Sequence, residues 1–311
     1  MFDLGKNLKT KETFAGMIYG VPGVGKTTLS LSCKNPVLLD CDDGVERVEY
    51  RHRAEIPILK PLNFTEIMDV VLTKCGGIDT IVVDTIGSLV DYMMEHVMTE
   101  DPKLRQRDGT PTIKAYGAIK SPFKSLLSAI KTQGKSVLFI GHADEKMDGT
   151  NTTYRVQCSG STANLLISML DFVGFCDMLG MKRVITFTPS ERAYAKNSLS
   201  LPPTIDIPDI TACANNFMQT RIEDAIKKRA AECNSEMQTK FDWLIDQMTK
   251  SVADCMEPDN LNEVMAWGGT LTHIWESKQR LWAMLQKRAA EINAEYSAAE
   301  KKFVKNAQAA A

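Results

Sequence analysis

Gly20-Val21-Pro22-Gly23-Val24-Gly25-Lys26-Thr27 is the stretch that most restricts what this chain can become. It matches GxxxxGK[ST] in full, follows the apolar run 17–19 and precedes the helix-compatible run 28–33. The order predicted is therefore strand, tight loop, helix. Glycines at 20, 23 and 25 let the backbone curl until successive N–H groups face one point, and the start of a helix adds partial positive charge there. A chain of phosphates fits such a nest. The residues expected to hold it are Gly20, Pro22, Gly23, Val24, Gly25, Lys26, Thr27 and Thr28, with Lys26 reaching the β- and γ-phosphates and the Thr27 hydroxyl ligating Mg²⁺. ATP and Mg²⁺ are the cofactors this pattern implies.

A loop of this kind needs a carboxylate at the end of a neighbouring strand, opposite Thr27. Asp84 follows the β-branched run 78–83 and fills that place. Its plainer use is to cap the helical pattern 86–98, which Thr85 could equally do. Hydrolysis also requires a group to orient or deprotonate water. Asp40, Asp42 and Asp43 cluster after the strand-like run 37–39 and are the candidates. Like charges so close call for a cation or a raised pKa nearby; otherwise they form a solvated loop.

Around this loop, short β-branched runs at 17–19, 36–39, 78–83 and 137–140 alternate with helical patterns at 64–74, 86–98 and 115–133. That alternation predicts an α/β fold with a mostly parallel sheet sandwiched by helices. Residues 171–177 and 183–188 flank a turn and predict an antiparallel edge. Prolines 189, 202, 203 and 208 then close the core. After Asp209 the texture turns to Ala, Glu, Lys, Gln and Met at helical spacing, so the expected division is a core over 1–208 and a helical extension over 209–311 for oligomerisation or partner binding. The four tryptophans of that extension, at 243, 267, 275 and 282, serve either its packing or a partner-binding face.

The quoted motifs resemble a known family. The order of phosphate loop, LLDCDD, IVVDTIGSLV, a long helix and SVLFIGH is similar to the RecA-type P-loop NTPase core. Together with AYGAIKSPFKSLLSAIKTQGKSVLFIGH it is similar to the phage-encoded RecA-like ATPases of the Sak-type single-strand annealing group, over about residues 14–208. The resemblance implies an ATPase in which Asp42 takes the place of the catalytic carboxylate, usually Glu, beside the catalytic Lys26. It puts His142 where a polar residue senses the γ-phosphate, although a local hydrogen bond at a strand end would also explain a histidine there. In RecA-like rings a neighbouring subunit can reach the phosphates with a cation, for which Arg192 and Lys196 are the candidates. A homo-oligomer is implied, as is a single-strand-binding protein as a possible partner.

The net charge is −2, so any contact with nucleic acid has to be local. Between residues 103 and 135 eight basic side chains face one acid, Asp108. Lys103, Arg105, Arg107 and Lys114 are expected to meet the phosphates of single-stranded DNA, with Tyr116 offering a stacking face. Lys120, Lys124 and Lys131 fit one solvated helical face. The loop 143–157, with Lys146 and Arg155, is a second candidate. The function expected is ATP-controlled binding of single-stranded DNA for annealing or recombination. The rivals are an ATP-dependent assembly or remodelling protein without DNA contact and a small-molecule kinase. Eight cysteines without a CxxC pair, no apolar signal in MFDLGKNLKTKETF and no run of about 18 apolar residues make a cytoplasmic location the expectation, in the host cell if the chain is phage-encoded, with no membrane partner.

Overall fold

The computed structural model describes residues 10–148, 151–158, 162–210 and 214–306. By contacts the chain divides into two compact units, Glu12–Lys227 and Met1–Lys11 with Lys228–Ala311. The first carries β1 (Ala15–Gly20), α1 (Lys26–Ser30), β2 (Pro36–Asp40), α2 (Tyr50–Arg53), β3 (Ile58–Leu59), α3 (Phe64–Thr73), β4 (Thr80–Asp84) and α4 (Ile86–Glu100). There follow α5 (Ile113–Ala118), α6 (Lys120–Thr132), β5 (Ser136–Asp148), β6 (Asn151–Val156), α7 (Thr162–Ser168), β7 (Phe172–Leu179), β8 (Lys182–Thr186), β9 (Lys196–Asn197) and β10 (Thr204–Ile207).

The sheet runs β10-β8-β7-β1-β5-β4-β2-β3. From β7 to β3 its neighbours are parallel, and β8, β9 and β10 add the antiparallel margin. This is the mostly parallel α/β core flanked by helices that the RecA-type resemblance implies, followed by a C-terminal helical region. Side chains alternate across the sheet. On one face Met17, Val83 and Phe139 pack with Ile67 of α3, Met93 of α4 and Phe123 of α6. On the other, Ile18 and Leu138 pack with Leu29 of α1, while Leu38, Val82 and Ile140 pack with Leu31 just after it. By the same alternation Asp40, Asp84 and His142, each two residues beyond a member of that second set, belong to the α1 face.

Several expectations shift. The pattern 115–133 is two helices, α5 and α6, divided at Ile119. The segment 143–157 is no loop: β5 continues past the sheet and returns as β6, pairing Ala143 with Val156 and Lys146 with Thr153. The first unit also ends beyond 208. Phe217, Met218, Ile222 and Ile226 are buried with Phe14, Leu29 and Leu138, so residues assigned by texture to the extension complete the core.

The second unit contains the later part of α8 (Asp224–Ala253), then α9 (Pro258–Thr270), α10 (Ser277–Glu291) and a hairpin of β11 (Ala294–Ser297) and β12 (Lys302–Lys305) that helical spacing did not suggest. Pro258 starts α9, where its missing N–H costs nothing. Trp282 packs against Tyr296 and Phe303, Trp267 lies in the same core, and Trp275 meets Phe241. Trp243 is exposed. Cys33, Cys41, Cys75, Cys176, Cys233 and Cys255 stand as thiols outside any disulfide; Cys213 lies outside the described residues. No described helix is long and apolar enough to cross a membrane.

Candidate functional site

Register assembles the site. β1 pairs with β5 as Gly20↔His142, β4 with β5 as Asp84↔Ile140, and β2 with β4 as Asp40↔Asp84. The ends of four strands therefore deliver Gly20, His142, Asp84 and Asp40 to one edge of the sheet, where parallel α/β folds open their ligand crevices. A cleft of about 390 Å³ lies there, lined among others by Pro22, Gly23, Gly25, Lys26, Thr27, Thr28, Asp42, Asp84 and His142.

The loop turns as its glycines allow. Gly25 sits at φ 82° as the residue before α1, a left-handed conformation that a Cβ would strain. Gly20 is required for another reason: a Cβ there would come within 2.3 Å of the Cys176 carbonyl oxygen on β7. Lys26 is buried, and its ammonium donates to the carbonyls of Gly20 and Val21, both at 3.0 Å. Burial lowers its pKa, against the pull of Asp84.

The Thr27 hydroxyl donates to Asp84 Oδ2 at 2.7 Å. Asp84 is 4% exposed. Burial raises its pKa to about 6, opposed by the Thr27 hydrogen bond and reinforced by the carboxylates of Asp42 and Asp40. The helix cap is taken by Thr85, which accepts from the Ser88 N–H, so Asp84 is free of that duty. Asp40 serves the backbone, accepting from the N–H groups of Gly44 and Val45 and so fixing the turn that carries Asp42. Asp43 is exposed and paired with Lys60. Burial, then the charge of Asp40, raises the pKa of Asp42. Its Oδ2 lies 3.8 Å from His142 Nε2, and burial followed by Lys26 lowers the pKa of that imidazole. Asp42 Oδ1 and His142 Nδ1 are both buried without a hydrogen-bond partner.

These residues fit a magnesium–nucleotide. The Thr27 hydroxyl and the buried Asp84 carboxylate stand paired, Asp42 lines the same cleft, and the unpartnered Asp42 Oδ1 and His142 Nδ1 flank it. Thr27 and Asp84 would hold the ion and Lys26 the phosphates. Asp42, which lines the same cleft, would be the carboxylate placed to take a proton from water.

The other sequence candidates lie elsewhere. Neither Arg192 nor Lys196 lines the cleft. The Lys196 ammonium donates to the carbonyls of Ile167, Ser168 and Leu170 at the end of α7, and Arg192 pairs with Asp177 at 3.2 Å over the Tyr154 ring. Arg105 is exposed and paired with Glu95, and Tyr116 is half-buried against the core. Lys103, Arg107, Lys114, Lys146 and Arg155 are exposed. Two cations of the cleft escaped sequence reasoning: Arg47, which follows Asp42 on the β2 side, and Arg183 on β8. Neither belongs to a motif.

The model of a family described as the AAA domain matches residues 13–199. No curated protein matches the chain. The matched segment spans the phosphate loop, the Asp84 strand and the antiparallel strands β8 and β9, and it covers more than half of the sequence. With this match and the geometry of the cleft, the chain belongs to the AAA domain family of P-loop ATPases, whose members bind ATP, typically with Mg²⁺.

Proposed function

We propose that this chain is an ATP-binding and ATP-hydrolysing RecA-like protein of the phage Sak-type group, which binds single-stranded DNA and promotes annealing or recombination as a homo-oligomer. The observation that carries the reading is the continuity of β5. One strand passes through the sheet, presents His142 in the cleft, and continues without a break into a hairpin arm with exposed Lys146 and Arg155. Exposed Lys103, Arg107 and Lys114 add positive charge on the segment between α4 and α6. A strand that ends in an arm and touches the nucleotide on its way gives each ligand a means to bias the other's affinity, and such coupling is reciprocal.

In this reading bound Mg²⁺-ATP supplies the electrophilic phosphoryl group and neutralises its charge. Lys26 and the loop orient the phosphates, Asp42 accepts the proton of the attacking water, and His142 fixes the far side of the site.

Titration of labelled single-stranded oligonucleotide with and without ATP-Mg²⁺, at several salt concentrations, tests it. Lys103, Arg107 and Lys114 changed together to Ala should weaken binding and lower the salt slope by about 0.7 for each DNA phosphate that is no longer neutralised. Absence of salt-dependent binding in every nucleotide state would remove DNA from the reading and leave an ATPase acting on protein partners.

A further inference from the structure

Arg183 enters the cleft from the antiparallel margin of the sheet. β7 pairs with β1 as Gly20↔Cys176 and with β8 as Met178↔Arg183. Arg183 therefore stands two residue pairs beyond the end of β1, level with the loop that follows Gly20. Alternation fixes its face: Ile185, two positions on, is buried with Val24 and Leu29, so Arg183 lies on the α1 side. Its Nη1 is 3.1 Å from the position a Cβ on Gly25 would take, and it lines the same cleft as Lys26, Thr27 and Asp84.

The side chain is 26% exposed. Asp209 approaches at 3.9 Å with a side chain 65% exposed, a length and exposure at which an ion pair restrains a guanidinium weakly. A planar fork of donors, placed by a rigid strand over a loop built for phosphate, matches two phosphate oxygens at once.

We propose that Arg183 binds the polyphosphate tail of the nucleotide, as a cation supplied by the same chain as the phosphate loop. The inference rests on the reading of the cleft as a nucleotide site and adds a residue to it. It also gives the subunit a further internal cation beside Lys26, in the role that the resemblance gives to a neighbouring subunit's Arg192 or Lys196.

The test uses the full-length protein and two probes, ATP-Mg²⁺ and inorganic tripolyphosphate, titrated by calorimetry. Arg183→Ala should weaken both by a similar factor, about tenfold or more, the worth of one charge-assisted hydrogen bond. Arg183→Lys keeps the charge without the fork and should fall between. The thermal midpoints of the nucleotide-free variants, set beside wild type, separate loss of binding from loss of fold. ATP affinity within twofold of wild type in Arg183→Ala would overturn the proposal. So would a loss confined to ATP with tripolyphosphate unaffected, since Arg183 would then meet the base or sugar. Wild type that binds neither probe, indistinguishable from Lys26→Ala, would overturn the nucleotide reading itself and this assignment with it.

Discussion

Thr27 Oγ1 and Asp84 Oδ2 are 2.7 Å apart although 57 residues separate them in sequence. The hydroxyl at the start of α1 and the carboxylate at the end of β4 meet because β5 lies between their strands and holds both in register. Thr27→Ala and Asp84→Asn should each lower the affinity for Mg²⁺-ATP by about tenfold or more while leaving metal-free ATP binding close to wild type. Paired titrations with Mg²⁺ and with EDTA measure the difference; equal losses in both would place these residues outside the metal shell.

Asp42 should behave differently. Asp42→Asn keeps shape and loses the proton acceptor, so nucleotide affinity should persist while steady-state ATP turnover falls by about a hundredfold or more. Normal turnover in this variant would assign water activation to another group.

Gly20 should resist even the smallest side chain. With the Cys176 carbonyl oxygen at 2.3 Å from the added carbon, and with β1 and β7 buried up to Cys176, Gly20→Ala requires β1 and β7 to part. A loss of about 1–3 kcal/mol in urea unfolding is expected. An unchanged midpoint would mean that the two strands separate at no cost to the fold.

Lys196 separates a structural cation from a catalytic one. Its three carbonyl partners predict that Lys196→Met destabilises the fold, by about 1–3 kcal/mol for the part-buried Ile167 and Leu170 carbonyls left behind, with the ATP turnover of the folded fraction unaltered. A stable variant with abolished turnover would restore the trans role considered for it.

Glu223 provides a pH dependence. It is buried, accepts from the Thr80 hydroxyl and the Lys34 N–H, and burial raises its pKa above the usual 4.5. The native state then holds a proton that the unfolded chain releases. Its contribution to stability is fully present below pH 4.5 and declines as pH rises through the higher native value. Glu223→Gln lacks this decline, so the stability of wild type relative to the variant should fall as pH is raised from about 4 to 7 in thermal melts. A constant difference would show that the carboxyl titrates alike in both states.

The phosphate loop and Asp84 were legible in sequence because local pattern and strand-end position decide both. Asp84 needed only a buried β-branched run before it. The division of labour among Asp40, Asp42 and Asp43 was not legible: one accepts backbone hydrogen bonds, one faces the cleft and one pairs with Lys60 at the surface, distinctions made by a turn that no spacing encodes. The arm made by β5 and β6 read as a loop because Asp144, Glu145 and Lys146 supply charge where a half-buried strand would alternate. Arg183 was passed over for a simpler reason. Its place beside Gly25 arises from an antiparallel return of the chain, and it carries no motif of its own.

The apolar patch formed by Phe217, Met218, Ile222 and Ile226 bears on how the ATPase is best produced by itself. A fragment trimmed after the last proline of the core would strip one flank from the cluster that holds Phe14, Leu29 and Leu138, leaving a sticky surface inviting aggregation in the test tube. Stopping instead at Lys227 adds nineteen further codons and keeps that flank covered.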